Sequence, residues 1–374
     1  MPRNQVAIRL SFIGDAVCCP ECNKQCARHD TAPEGTWRHL DTMQFKTEIR
    51  AAVPRSKCTK CGVKTIAVPW AGKHSRLTLV FEAVAVKVLQ AAANVKRAAE
   101  LLGLSWDAMH SIIQRAVDRG LTRRDLEEIY HVGIDEKNFG KGQDYISLMT
   151  DLDNNRVLEV SAGRTIESCD KLWKTLSGEQ RDAVSGISMD MWQAFMTSAK
   201  KNVPEAEIVH DKFHVSKHLN NAVDKVLRRQ ENKQLRSEGD DRLKGTRQLW
   251  LYNEDNLDED RYYELLTAMR RDLRTGRAWA IKENFRHFWT YVYAFSAEGF
   301  FNRWYGWAIR SRLDPVKKVA RMLKEHLDGI LSYFRHRITN AITEGFNSRI
   351  QSIKSAARGF KNLSNYRLRI LLQR

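Results

Sequence analysis

"IYHVGIDEKNFGKGQDYISLMTDLDNNRVLEVSAGR", residues 129 to 164, holds three strand-like runs, Ile129–Asp135, Tyr145–Asp151 and Arg156–Ala162. Turn-rich links at 140–143 and 153–155 separate them. Short apolar runs broken by Gly, Asn and Asp read as strands joined by tight turns, which predicts a three-stranded meander. Downstream, a helical stretch at Ile166–Leu176 leads to a strand at Ser185–Met189 that ends on Asp190. A helix at Gln193–Asn202 then leads to a strand at Ala206–Val209, ending at His210 and Asp211.

Three antiparallel strands followed by strands alternating with helices is the order of a ribonuclease H-like α/β core. In such a core the first and fourth strands lie side by side, so Asp135 and Asp190 emerge at one end of the sheet. Carboxylates that close repel one another unless a cation sits between them. Hard oxygen ligands suit Mg²⁺ or Mn²⁺. A third acid should come from a helix beside the sheet. Glu344 is the candidate, within "RITNAITEGFNSRIQSIKSAARGFKNLSNYRLRILL" (337–372), where Ile342, Phe346, Ile350 and Ile353 are available for packing. Among the rival acids, Glu136 is expected to point to the opposite side of the strand. Asp151 and Asp153 are expected to be solvated in a turn, and Asp211, closing a central strand, stays in reserve as a ligand.

Six of the seven cysteines precede residue 62, and four form the pairs Cys19-Pro-Glu-Cys22 and Cys58-Thr-Lys-Cys61. Two such turns complete a tetrahedral four-thiolate shell, which favours structural zinc over a disulfide framework. Cys18, Cys26, His29 and His39 are alternative ligands. Between the pairs, Arg38, Leu40, Phe45, Thr47 and Ile49 have the period of a β-hairpin. Farther on, Ala98 and Ala99, a turn at Gly103 and a second amphipathic helix from Ser105 to Val117 follow the order of a helix-turn-helix. Its second helix would offer Trp106, His110, Gln114 or Arg115 to the DNA major groove. An ordinary helical hairpin would have the same pattern.

With 374 residues, the chain is long enough for two or three domains. Its 62 Lys+Arg against 45 Asp+Glu give a net charge of +17, which points to a polyanionic partner, nucleic acid above all. The first fifteen residues lack the apolar run of a signal peptide, and the stretch 77–95 is interrupted by Glu82 and Lys87. The expectation is a soluble cytoplasmic protein associated with the nucleoid.

The paired CxxC turns, "HVGIDE" (131–136), "SMDMW" (188–192), "DKFHVSKHLNNAVDKVLR" (211–228) and "TEGFNSRIQSIKSAARGF" (343–360) occur in an order and separation that resemble the insertion-sequence DDE transposases of the ISL3 kind. The resemblance covers nearly the whole chain. It implies a zinc-binding domain at 1–74, a helix-turn-helix at 75–127, and a ribonuclease H-like core at 128–220 and 336–374 interrupted by a helical insertion at 221–335. It makes Asp135, Asp190 and Glu344 the acids that hold two divalent ions for DNA strand cleavage and transfer. It also sets His214 beside the scissile phosphate, against the alternative of a structural histidine, and implies self-association on paired DNA ends. In the insertion, Trp279, Phe285, Phe288, Trp289, Tyr291, Tyr293, Phe295, Trp304, Tyr305 and Trp307 fit bundle packing, with base stacking as the sharper alternative. Trp192 is a further stacking candidate. Arg349, Lys354, Arg358, Lys361, Arg367 and Arg369 are candidates to hold the DNA backbone. A DNA-binding regulator and a structure-specific nuclease of the same descent are the competing functions.

Overall fold

In a computed structural model, the structure describes residues 5–92, 94–124, 128–140, 144–227, 232–239, 243–269, 274–360 and 362–372. Most of the link at 140–143, the end of an expected loop at 237–241, and Lys361 lie outside them. The chain divides into two compact units, Met1–Gly120 with Ile353–Phe360, and Leu121–Ser352 with Lys361–Arg374.

The first unit opens with β1 (Gln5–Leu10), β2 (Ala16–Cys18), β3 (Gln25–Thr31), β4 (Gly35–Thr42), β5 (Phe45–Ala51), β6 (Pro54–Cys58) and β7 (Gly62–Thr65). They form two sheets, ordered β1-β5-β4 and β2-β3-β6-β7. The hairpin expected between the cysteine pairs is β4–β5, which buries Trp37, Ile49 and Ala51 against Val53 and Ala71. Three helices follow: α1 (Leu79–Ala91), α2 (Val95–Leu102) and α3 (Trp106–Arg124). Side chains of Thr78 and Asn94 cap the first two by accepting from the N–H groups of Phe81 and Arg97. Gly103 closes α2 at φ 61°, a left-handed conformation that costs glycine nothing. Two residues on, Ser105 Oγ accepts from Ala108 N at 3.1 Å and starts α3. The tight turn is therefore built from the residues that predicted it, although α3 runs past the expected end at Val117.

The second unit begins with β8 (His131–Asn138), β9 (Tyr145–Asp151) and β10 (Arg156–Ala162). It continues through α4 (Ile166–Trp173), α5 (Gly178–Ala183), β11 (Gly186–Met189), α6 (Gln193–Asn202), β12 (Glu207–His210) and α7 (Lys212–Lys225). The strands assemble as β10-β9-β8-β11-β12, antiparallel through the meander and parallel from β8 to β12. This is the ribonuclease H-like order. Alternation divides the sheet: Val132, Ile134, Ile187 and Met189 face a core shared with Leu172, Trp173 and Phe195 of α4 and α6. Gly133, Asp135 and Ser188 therefore point to the other face.

Of the two acids expected to be solvated in a turn, Asp153 is exposed there and Asp151 is not. Asp151 is fully buried: its carboxylate accepts from the N–H groups of Asp153 and Asn154, from Asn154 Nδ2 and from Arg156 Nε, which shapes the β9–β10 turn. Asp153 is exposed in the turn, as expected, and its carboxylate also meets a ring nitrogen of His131 at 2.9 Å. An acid at a strand end can organise a turn through its own backbone as readily as it can meet solvent.

After α7 the chain forms α8 (Asn232–Ser237), α9 (Arg247–Leu251), α10 (Glu259–Met269), α11 (Arg274–Phe285), α12 (Ala294–Arg310), α13 (Asp314–Glu325), α14 (Leu327–Leu331) and α15 (Tyr333–His336). It then returns to the core with α16 (Ala341–Ala356) and α17 (Leu363–Leu371). Of the ten insertion aromatics, Trp279, Phe285, Phe288 and Trp304 are buried together with Trp250 and Phe301, and Trp289, Tyr291 and Tyr305 pack partly buried against them. Tyr293, Phe295 and Trp307, by contrast, are exposed, Phe295 to 85%. Trp304 donates Nε1 to Ile281 O at 2.9 Å and packs on Phe285 at 4.6 Å between ring centroids. Trp304→Ala should therefore cost about 3–5 kcal/mol in urea unfolding of the full chain, through the cavity and the lost indole hydrogen bond. A loss under about 1 kcal/mol would contradict this packing account.

Candidate active site and metal centre

Met189 is paired with Ile134, so Asp190 and Asp135 follow at neighbouring positions of adjacent parallel strands and on one face. Gly133 lies two residues before Asp135 on that face, and α16 comes down upon it. A Cβ at Gly133 would stand 2.5 Å from Thr150 Oγ1 and closer still to Thr343 Oγ1. The two hydroxyls bond to each other at 2.7 Å, fixing α16 to β9. The helix start is held as well: the backbone N–H of Asn340 donates to Asp211, whose other oxygen caps α7 by accepting from Phe213 N at 2.8 Å. Asp211, held in reserve as a ligand, thus has both oxygens engaged in positioning α7 and α16.

These anchors bring the first turn of α16 over Asp135. Asn347, one turn beyond Glu344, donates Nδ2 to Asp135 Oδ2 at 2.6 Å. Burial pushes the Asp135 carboxyl up to about 7, and the negative charges of Glu136, Asp190 and Glu344 push in the same direction. Burial likewise raises Glu344, with the charge of Asp211 adding to it. Burial alone would raise Asp190 too. The neighbouring His218 and His214 and the backbone N–H of Met191 outweigh it and hold that carboxyl at about 2. His214 Nδ1 stands 3.4 Å from Asp190 Oδ2 and His218 Nε2 stands 3.8 Å from Oδ1, ion-pair distances rather than hydrogen bonds. His214 is itself lowered, chiefly by burial. Glu136, which strand alternation sets on the face opposite Asp135 as expected, is part-buried beside Arg164, and burial raises its carboxyl.

The three acids are gathered at one end of the sheet without being drawn into a tight cluster. Among the described residues, only Cys19, Cys22, Cys58 and Cys61 have all their ligand atoms within 4.8 Å of one another. The acid set nonetheless suits a hard cation: its donors are carboxylate oxygens, they destabilise one another's charge, and Glu344 Oε1 is buried with no hydrogen-bond partner. Asn347, Gly133, Lys217 and His218 were not singled out from the sequence. The signal available was spacing, since Asn347 stands three residues after Glu344, and Lys217 and His218 stand three and four after His214.

At the other metal centre, each knuckle closes a hairpin, β2–β3 or β6–β7, and is followed by a residue of positive φ, Asn23 at 55° and Gly62 at 74°. Cys22 and Cys58 sulfurs lie 3.6 Å apart, near the edge of about 3.8 Å of a tetrahedron with zinc–sulfur bonds of about 2.3 Å. Backbone N–H groups of Cys61 and Lys60 hold the Cys58 thiol down to about 6, towards the ligating thiolate. The four sulfurs fit structural zinc. Of the alternative ligands, His39 bonds Thr78 Oγ1 at 2.9 Å and His29 lies 3.3 Å from Asp30, while Cys26 stands beside the cluster, next to Cys58, but outside the four-sulfur set, and donates to Lys24 O. Cys18 is exposed and outside the cluster.

Of the DNA-reading candidates, Trp106 and His110 stack at 5.0 Å on the first turns of α3, with Trp106 exposed. Gln114 is exposed and bonds Asp118 along the helix at 2.9 Å. Arg115 turns inward instead, donating Nε at 3.0 Å and Nη2 at 2.6 Å to buried Glu82, so it joins α3 to α1. Trp192 is 40% exposed, donates Nε1 to Arg164 O and has the Arg164 guanidinium over its ring at 4.9 Å. Arg349 is exposed on α16, whereas Lys354 and Arg358 belong to the first unit. Arg367 binds Glu159 and Arg369 is buried, so neither offers a free surface charge. Among the described residues no helix is long and apolar enough to cross a membrane.

Comparison with known proteins agrees with this organisation. A family model for the zinc finger of the transposases of IS204, IS1001, IS1096 and IS1165 matches residues 15–61, and one for the helix-turn-helix domain of ISL3 transposases matches residues 66–117. The chain is 26% identical to the transposase for insertion sequence element IS1001 of Bordetella parapertussis, over 99% of this chain and 91% of that protein. It is 25% identical to the transposase for insertion sequence element IS1557 of Mycobacterium tuberculosis, over 92% of this chain and 82% of that protein. The model of the ISL3 DDE transposases, described as transposase, matches residues 132–370, more than half of the sequence, and the chain belongs to that family.

Proposed function

We propose that this transposase binds the ends of an insertion sequence through its zinc ribbon and helix-turn-helix, and cleaves and joins DNA strands at Asp135, Asp190 and Glu344. The observation that carries the reading is the convergence of these acids from β8, the end of β11 and α16, with Glu344 Oε1 buried and unpartnered. Asp135, Asp190 and Glu344 would hold two Mg²⁺ or Mn²⁺ ions, which when bound would supply activation of a water or 3′-hydroxyl and stabilisation of the leaving oxygen. The chain's own residues do the positioning. Asn347 orients Asp135, His214 flanks Asp190 beside the scissile phosphate, and the buried sheet end limits water. Trp106, His110 and Gln114 read the major groove, Trp192 meets an unpaired base, and Arg349, Lys354 and Arg358 contact phosphates. Two or more copies assemble on paired ends.

Labelled element ends incubated with Mg²⁺ should be cut at the junction with flanking DNA, and the mapped positions test the reading. Specific binding with no metal-dependent cut would favour a DNA-binding regulator. Cutting set by DNA shape, independent of the element's ends, would favour a nuclease. Gly133→Ala provides a geometric test, because the added methyl must push α16 from the sheet. Cleavage should fall about 10- to 100-fold with end binding unchanged. Parental cleavage by that variant would mean that the seating of α16 on β8 does not set the geometry of the acids.

A further inference from the structure

Helix α7 has two functional stripes. Val215, Leu219, Ala222 and Val223 are buried in the insertion core. His214, Lys217 and His218, at i, i+3 and i+4, share a different face, the one turned to the carboxylates. His214 is buried, and neither of its ring nitrogens has a hydrogen-bond partner. His218 reaches Asp190 Oδ1 only at 3.8 Å. Lys217 is exposed, and among the described residues no carboxylate lies within ion-pair distance of its ammonium, although its charge is felt at both Glu136 and Glu344. Three nitrogen groups that can donate therefore line one side of the acid site with their hydrogen-bonding capacity unspent. A buried imidazole left in that state calls for a ligand with acceptor oxygens.

We propose that Lys217 and His218, together with His214, form a phosphate-binding subsite that holds the DNA backbone beside the carboxylates. Lys217 binds a non-bridging oxygen of a phosphodiester adjacent to the scissile one, and His218 donates to the same group while flanking Asp190. Such a subsite counters the repulsion between an acidic catalytic centre and a polyanionic strand at the place where the two must approach. It also accounts for the concentration of basic side chains on this face of α7 and not on its packed face.

The inference rests on the cleavage reading above, and the test separates the two. End duplexes are prepared with a single methylphosphonate, hence one neutral linkage, at each position around the cut. On all-phosphate DNA, Lys217→Ala should slow single-turnover cleavage about 10- to 100-fold, His218→Asn should slow it about tenfold, and Lys217→Arg should restore most of the rate. End binding should fall less than the cleavage rate in each, since one phosphate contact among many is lost. One methylphosphonate position should slow the parent chain and leave Lys217→Ala no slower than it already is. Parental rates for Lys217→Ala would overturn the subsite. A slowed Lys217→Ala whose interference pattern matches the parent's would also overturn it, because the charge would then act on the carboxylates alone. No metal-dependent cleavage by the parent chain itself would instead defeat the function.

Discussion

Asp190→Asn is expected to reduce Mg²⁺-dependent end cleavage by about three orders of magnitude or more, with end binding held to within about twofold. Asparagine keeps the volume of the side chain and can still accept from Met191 N, which donates to Asp190 Oδ1 at 2.7 Å. What it removes is the negative charge at the centre of the site, and with it one of the three proposed ligands for the cation. The variant should remain folded, with its melting temperature moved by no more than about 5 °C. Asp135→Asn should lose cleavage to the same degree with an opposite stability signature. Its folded-state pKa of about 7 lies above the ordinary 3.8, so in metal-free protein the parent loses stability as pH rises through that interval. A neutral side chain escapes the loss, and Asp135→Asn should melt no lower than the parent at pH 8 without metal. Undiminished cleavage by Asp190→Asn in a strand-nicking assay would remove it from the catalytic set.

The catalytic unit was legible where chemistry is local. Residues 145–151 and 156–162 become strands at the expected bounds, because their apolar runs end at Asn, Asp and Gly turns. The first strand shifts from Ile129–Asp135 to His131–Asn138, since its far end is set by pairing Asn138 with Tyr145, a contact no periodicity contains. Asp135 and Asp190 could be placed because strand ends and strand order locate them; Glu344 needed the helical run and the family resemblance. Asn347 and Asp211 escaped notice as positioning groups because their partners lie 212 and 129 residues away in sequence. Arg115 was read as a DNA contact for the same reason: its acceptor, Glu82, is 33 residues upstream on α1. The zinc knuckles were readable because a turn of four residues carries both ligands, while choosing among the extra Cys and His required the folded hairpins.

Cys58→Ser is expected to lower bound zinc from about one per chain to nearly none, and to weaken end binding at least tenfold. The reason is the slenderness of the ribbon. Its strands β2, β3, β6 and β7 contain 3, 7, 5 and 4 residues, and β7 is exposed along its whole length. Two short hairpins of this kind bury too little apolar surface to order themselves, so their cohesion must come from a metal worth about 10–16 kcal/mol in such sites. Losing one thiolate forfeits much of that, and the loss should be felt in the first unit, proposed above to bind the ends. The catalytic unit has its own core around Trp173 and Phe195 and should keep its cooperative unfolding transition. Cys18→Ser and Cys26→Ser are the matched controls, expected to retain zinc because their sulfurs lie outside the tetrahedral set. Metal analysis that finds no zinc in the parent chain purified without chelator, or full zinc in Cys58→Ser, would show that the four sulfurs converge for a reason other than metal.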